Sequence, residues 1–196
     1  KNYFWMVPYD LQGLIDSIGG KEAAEKRLDE MFRRLDASYG DEWFASGNEP
    51  SFPIPWITKW AGAPYKAQQV IRRILNEQYS SRVNGLPGND DLGSMGAWYV
   101  FASIGLFPEI PGVGGFSVNS PVFRKIVLHL PEGDVIIKGG DEKKEYIHSL
   151  SLDGKKMEGT WIDWSDLYRG ATLEYKLSGK PDKTWETRIA PPSYGK

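Results

Sequence analysis

The residues best equipped for chemistry in this chain are Asn89-Asp90-Asp91, behind the turn Gly85-Leu86-Pro87-Gly88. Earlier in the chain, Gly47-Asn48-Glu49-Pro50 closes the loop that begins at Asp41. Neighbouring carboxylates at the start of an apolar run read in two ways. Asn and Asp are favoured helix N-caps, so Asn89 or Asp90 could simply open a helix. A cap needs a single such side chain, however, and here three follow one another. A helix N-terminus also favours the ionised form of a nearby carboxylate, the state a general base requires. Asp10, ahead of Leu11, Leu14, Ile15 and Ile18, is either a first-turn helix charge or a further site carboxylate.

Composition narrows the chemistry. With no cysteine, thiolate catalysis, thiolate metal sites and a disulfide framework are excluded. Both histidines, His129 and His148, fall late in strand-like sequence, so a histidine-based zinc site or triad among the front-half motifs is not expected. A metal there would be a hard, oxygen-ligated ion. A formal charge of −2, without a Lys/Arg cluster among aromatics, argues against nucleic-acid binding. The 196 residues, 40% apolar and 13% aromatic, are enough for a packed core in one ordinary domain or two small ones. No apolar run approaches a membrane span, and no signal-peptide pattern opens the chain. The first residues, Lys1 to Pro8, are apolar and aromatic without a cap, so the chain reads as a piece of something longer.

The elements that must position these groups are helical first. Pro8 at a first helical position and the apolar set Leu11, Leu14, Ile15 and Ile18 predict a helix ended by Gly19-Gly20. Ala24, Leu28, Met31, Phe32 and Leu35 predict an amphipathic outer helix from about Lys21 to Leu35. Pro53 and Pro55 limit Ser51 to Trp60 to irregular helix. From Pro64, Ala67, Val70, Ile71, Ile74 and Leu75 make one face of another outer helix, with Arg72 off it and Gln68 read as either a surface amide or a site residue. The stretch after Asp91 predicts a helix to about Ile104, apolar nearly all round. Alternation of such helices with amphipathic ones fits inner and outer layers of an α/α toroid, of which five helices would be part. Past a Pro/Gly linker at Pro108 to Gly115, strands are expected at Val122–Leu130, Asp134–Lys138, Tyr146–Leu152 and Ala171–Leu177, with a hairpin at Asp153-Gly154. Trp161 to Trp164 could stack on sugar rings or pack on the helical part, and the tail from Thr184 reads as frayed.

Three segments in this order go beyond pattern: Tyr3-Phe4-Trp5-Met6-Val7-Pro8-Tyr9-Asp10-Leu11-Gln12-Gly13; Gly47-Asn48-Glu49-Pro50-Ser51 with Ala61-Gly62-Ala63-Pro64-Tyr65-Lys66-Ala67-Gln68; and Gly85 to Tyr99. Together with Pro108, Pro111-Gly112 and Asn119-Ser120-Pro121 they resemble glycoside hydrolase family 92, the calcium-dependent exo-α-mannosidases. The resemblance implies a mainly α then β chain: residues 1–112 as the C-terminal part of an (α/α)6 toroid, and 113–196 as a β-rich, sandwich-like segment. It implies a secreted or periplasmic parent with an N-terminal β-sandwich, further toroid helices and a mannose-containing glycan as substrate. Inversion places an acid and a base on opposite sides of the sugar, roughly 6.5–9.5 Å apart, so adjacent Asp90 and Asp91 cannot be the pair. Asp91 is assigned as base with Asp90 assisting; Asn89, Trp98 and Asp10 as substrate contacts; Asn48 and Glu49 as ligands of one Ca²⁺. The general-acid glutamate is expected just ahead of Tyr3, outside this chain, which alone should be inert. Where the family often carries histidines, Phe52-Pro53 and Tyr9 stand here.

Each assignment has a plainer alternative. Glu49 could merely orient its turn beside Pro50, and Trp5, Trp56, Trp60 and Trp98 could be core rather than sugar platforms. A non-catalytic carbohydrate-binding module, or another toroid enzyme such as a phosphorylase or lyase, would carry many of the same features.

Overall fold

Short helices punctuated by Gly and Pro fill the first half of the chain in the computed structural model, which describes residues 2–38 and 40–194. A 3₁₀ turn at Asn2–Trp5 leads into α1 (Leu11–Ser17), whose N-cap is Asp10, accepting from the Gly13 amide at 3.1 Å. The helix therefore begins later than Pro8 suggests, because the Asp10 side chain satisfies an amide that the first turn leaves free. Next, α2 (Lys21–Met31) buries Ala24, Leu28 and Met31 on one stripe. It stops short of Leu35, yet Phe32 and Leu35 are still buried, in the turns that follow.

Two 3₁₀ turns, Glu49–Ser51 and Ile54–Lys59, carry the proline-rich stretch. From Pro64 to Glu77 runs α3, and α4 spans Ser94–Ile104. Their shared core holds Trp5, Trp56, Trp60 and Trp98 with the apolar faces of α1, α2 and α3. All four indoles are nearly or fully buried, as core residues are. On α4, Ala97, Tyr99 and Val100 remain exposed.

The second half is β. A small antiparallel sheet, in the order β1-β2-β7, joins Leu106–Phe107, Gly115–Val118 and Trp161–Asp163. Sequence reading missed it: its strands are very short and two of them flank a stretch that looks like linker. The larger sheet has the order β3-β4-β8-β5-β6, from Lys125–Leu130, Gly133–Lys138, Ala171–Ser178, Tyr146–Leu152 and Lys155–Lys156. It is antiparallel apart from the β4/β8 pair, where Val135 lies opposite Ala171 and Ile137 opposite Leu173. The alternation in β8 buries Ala171, Leu173 and Tyr175, while Asp153 and Gly154, both at positive φ, make the expected hairpin turn. Trp161 packs on the helical core rather than standing free.

Polar groups weld the halves. Gln68 on α3 is buried, and its Oε1 accepts the Ile147 amide of β5 at 3.0 Å, which overturns the surface-amide reading. Arg72, one helical turn on, is buried too and donates to the carbonyls of Asp141, Glu142 and Pro121. The tail is also tied down: Trp185 is buried, the Tyr194 amide donates to Tyr9 O at 2.8 Å, and Ser193 Oγ accepts from Trp60 Nε1 and the Gln12 amide. Gly195 and Lys196 lie outside the described residues.

Candidate active site

Two loops bring the oxygen donors together. Residues 41–48 have little regular structure of their own and are pinned by an isolated bridge between Asp36 and Ala45, by buried Phe44, and by Ser46 Oγ donating to Leu35 O at 2.8 Å. Asn48, in extended backbone, precedes the turn opened by Glu49, and the Ser51 and Phe52 amides donate to the Asn48 and Glu49 carbonyls. The second loop, residues 78–93, links α3 to α4. Its first part is closed by hydrogen bonds from the Ser80 amide to Gly85 O and from the Gly85 amide to Arg82 O.

Where the loops meet, both backbones are glycine. A Cβ on Gly47 would stand 2.5 Å from the Pro87 carbonyl oxygen, and one on Gly88 would stand 2.5 Å from Gly47 O. Any side chain at either position must push the loops apart. Sequence reading used these glycines only as turn markers; their flanking of both donor clusters was the available signal.

Beyond that contact the chain takes an unusual path. Asp91, Leu92 and Gly93 have φ of 47°, 61° and 86°, three left-handed residues in succession. Only Gly93 adopts this region without penalty, and the two others cost of order 1–3 kcal/mol each. Gly93 is the N-cap residue of α4, so neither Asn89 nor Asp90 opens the helix as a simple cap. Asp90 instead grips the helix start from the preceding turn. Its carbonyl accepts the Ser94 amide at 2.8 Å and the Ser94 hydroxyl at 2.9 Å, and its Oδ1 accepts the Gly96 amide at 2.9 Å. With Asp90 so held, the left-handed run turns Asp91 outward, and Asp91 is exposed.

The Asp91 carboxyl meets that of Glu49 in a hydrogen bond. Two carboxylates can make such a bond only if they share a proton. The contact holds Glu49 below its ordinary range and raises Asp91, so Asp91 is the one that keeps a proton to the higher pH. Trp98 backs both loops: its Nε1 donates to Phe52 O at 3.0 Å, and its ring lies 5.9 Å from Tyr79, stacked, and 6.3 Å from Phe52. Those contacts occupy an indole assigned to substrate. Asp10 is committed to the α1 cap. Asn89 is exposed on the same loop as Asp91.

The donors suit a hard cation. Glu49 and Asp91 place carboxylate oxygens in contact, Asn48 adds an amide, and like charges so close call for a counter-charge, proton or metal. Among the described residues no cluster of three acidic, histidine or cysteine side chains occurs, so amide or backbone oxygens, water and a bound hydroxylic ligand must complete any shell.

Fold and site thus define a helical-then-β protein with a carboxylate pair formed where two loops meet near the start of an apolar helix. The chain belongs to glycosyl hydrolase family 92, whose catalytic-domain model matches residues 1–179. An uncharacterized secreted glycosidase of Arthroderma benhamiae is 32% identical over all of this chain and 25% of its own length. A GH92 α-mannosidase of Bacteroides thetaiotaomicron superposes with a TM-score of 0.90 at 32% identity, over 98% of this chain and 26% of that one. A second from that organism, an inverting mannosidase, gives 0.89 at 28% identity, over 100% and 29%. The chain therefore spans about a quarter of the length of the relatives it matches.

Proposed function

We propose that this chain is part of an inverting exo-α-mannosidase that removes terminal α-linked mannose, with α-1,2 linkages preferred, from glycans outside the cytoplasm. Residues 1–112 then contribute the later helices of the toroid and 113–196 the β-rich segment, with the earlier helices and a β-sandwich supplied by the same parent. The observation carrying this reading is the Glu49–Asp91 contact across the Gly47/Gly88 crossing. The family membership, the mannosidase names of two structural relatives and the secreted glycosidase among the relatives support it.

In this reading Asp91 is the general base. In its ionised form it takes a proton from the attacking water. Asp90, fixed by the Gly96 amide, holds the backbone that aims it. Glu49 touches Asp91 and so cannot be the acid of an inverting pair, whose carboxyls stand roughly 6.5–9.5 Å apart. The acid belongs to a segment beyond this pair. Glu49 and Asn48 are the residues that would hold calcium, and Asn89 faces the sugar. When bound, calcium supplies a positive charge that grips neighbouring sugar hydroxyls.

The test is hydrolysis of an α-1,2-mannobioside by the full-length protein, with and without a calcium chelator, and with Asp91→Asn. Loss of turnover in both arms is expected; activity indifferent to both removes the metal and base assignments together.

A further inference from the structure

The loop bearing Asn48 and Glu49 lacks a sheet or helix partner for much of its backbone, and a single buried side chain supplies one. Asn2, on the N-terminal 3₁₀ turn, is 1% exposed. Its Nδ2 donates to Trp43 O at 3.0 Å, and its Oδ1 accepts from the Ala45 amide at 3.2 Å and from Ser51 Oγ at 3.3 Å. These partners bracket residues 43–51 at both ends. The neighbouring Tyr3 hydroxyl stands 3.5 Å from Asn48 Nδ2.

We infer that Asn2 is a positioning residue for the proposed cation-binding loop: its carboxamide fixes where Glu49 stands relative to Asp91. The inference rests on the mannosidase reading for its consequence, but not for its geometry. Donor and acceptor are both needed at this point, since the loop presents a carbonyl at Trp43 and an amide at Ala45. An aspartate keeps the acceptor and sets a carboxylate oxygen against the Trp43 carbonyl. A leucine leaves both backbone groups buried without partners. Asn2→Asp frees the Trp43 end and Asn2→Leu both ends, while Gly47, mid-loop, stays against Gly88, so Glu49 shifts relative to Asp91. An effect confined to stability would instead lower the melting temperature and leave the loop's geometry in the folded molecules unchanged.

The test uses the full-length protein with Asn2→Asp, Asn2→Leu and the milder Ser51→Ala, which removes only one accepted bond and keeps the series readable if Asn2→Leu fails to fold. Calcium affinity is measured by titration calorimetry on the chelated protein, kcat and KM on an α-1,2-mannobioside, and the Asn2→Asp crystal structure is solved. Calcium binding about 10–100-fold weaker in Asn2→Asp is expected, the range for loss of a group that orients a ligand, with Ser51→Ala affected less. The Glu49–Asp91 contact is expected to be absent from the crystal structure of the variant. Wild-type calcium affinity in a folded Asn2→Asp overturns the inference, and so does an intact Glu49–Asp91 contact. If the wild type itself binds no calcium and is inert, the mannosidase reading fails, and the crystal structure alone still decides the role of Asn2.

Discussion

The carboxyl of Glu49, on the turn before the proline-rich stretch, is hydrogen-bonded to the carboxyl of Asp91, on the loop entering α4. Their contact lowers Glu49 and raises Asp91, so of the two Asp91 holds a proton to the higher pH. Only the ionised form of Asp91 can accept a proton from water, so a cation that favours the ionised pair also favours the proposed base.

Asp91→Asn should lower kcat by about 10²–10⁴-fold, the usual contribution of a general base, with little change in KM. Glu49→Gln should act differently, weakening calcium binding first and activity through it. Steady-state kinetics over a calcium series separates the two.

Calcium added to the chelated protein should release protons. The sign follows from the raised Asp91: at a pH below its raised value the shared proton is present and is expelled, whereas well above it nothing remains to release. Calcium affinity therefore rises with pH across that range. Titration calorimetry in two buffers of different ionisation enthalpy measures the release, and Asp91→Asn should abolish it.

Gly47→Ala and Gly88→Ala each put a methyl 2.5 Å from the opposing loop's backbone oxygen. Small-to-large changes in a tight contact cost about 1–3 kcal/mol. Activity should fall further than that loss of stability explains, because the displaced loops carry Glu49 and Asp91. Thermal melts beside kcat/KM on the folded protein test the difference.

Lys59 and Glu109 are both buried where the helical half meets the small sheet, and Lys59 Nζ donates to Ser117 Oγ at 2.7 Å and sits 4.3 Å from the Trp56 ring centre. Among the described residues neither Glu109 carboxylate oxygen has a well-formed hydrogen bond. Burial pushes Lys59 down to about 7, opposed by the Glu109 charge, and pushes Glu109 up to about 8, opposed by Lys59 and the nearby Ser117 hydroxyl. Between the ordinary carboxyl range and about 8 the folded state holds Glu109's proton more tightly, so stability falls as pH rises. Between about 7 and the ordinary lysine range the unfolded state holds the extra Lys59 proton, so stability rises. The lowest stability should lie near the crossing of these trends. Lys59→Met alone should destabilise most at alkaline pH, where Glu109 would have to ionise without a partner, whereas Lys59→Met with Glu109→Gln should flatten the pH profile. Urea melts at acid, neutral and alkaline pH check this.

Local periodicity carried much of the helical half. The spacing of Ala24, Leu28 and Met31, and of Ala67, Val70, Ile71, Ile74 and Leu75, reported which face of α2 and α3 is buried, because helix geometry repeats whatever lies beyond it. It could not report Gln68 and Arg72: polar residues are buried only where another element arrives to bond them, here β5 and the segment before it. The same holds for the tail, whose Ser193 looks like a solvated loop residue until Trp60 and Gln12 reach it.

The sequence by itself determined the chemical inventory: adjacent carboxylates behind a glycine-rich turn, no thiol and late histidines, with Asn48 and Glu49 drawn in by the family resemblance. It also determined the alternation in β8 and the turn at Asp153-Gly154, which depend on neighbours in the chain. Only the tertiary structure decided that Glu49 and Asp91 touch, that the Asp90 side chain holds the helix start, and that Asn2 clamps the loop bearing Glu49. The physical reason is range. Backbone preference and side-chain period act over a few residues, whereas a shared proton and a glycine crossing exist only once distant segments are packed together.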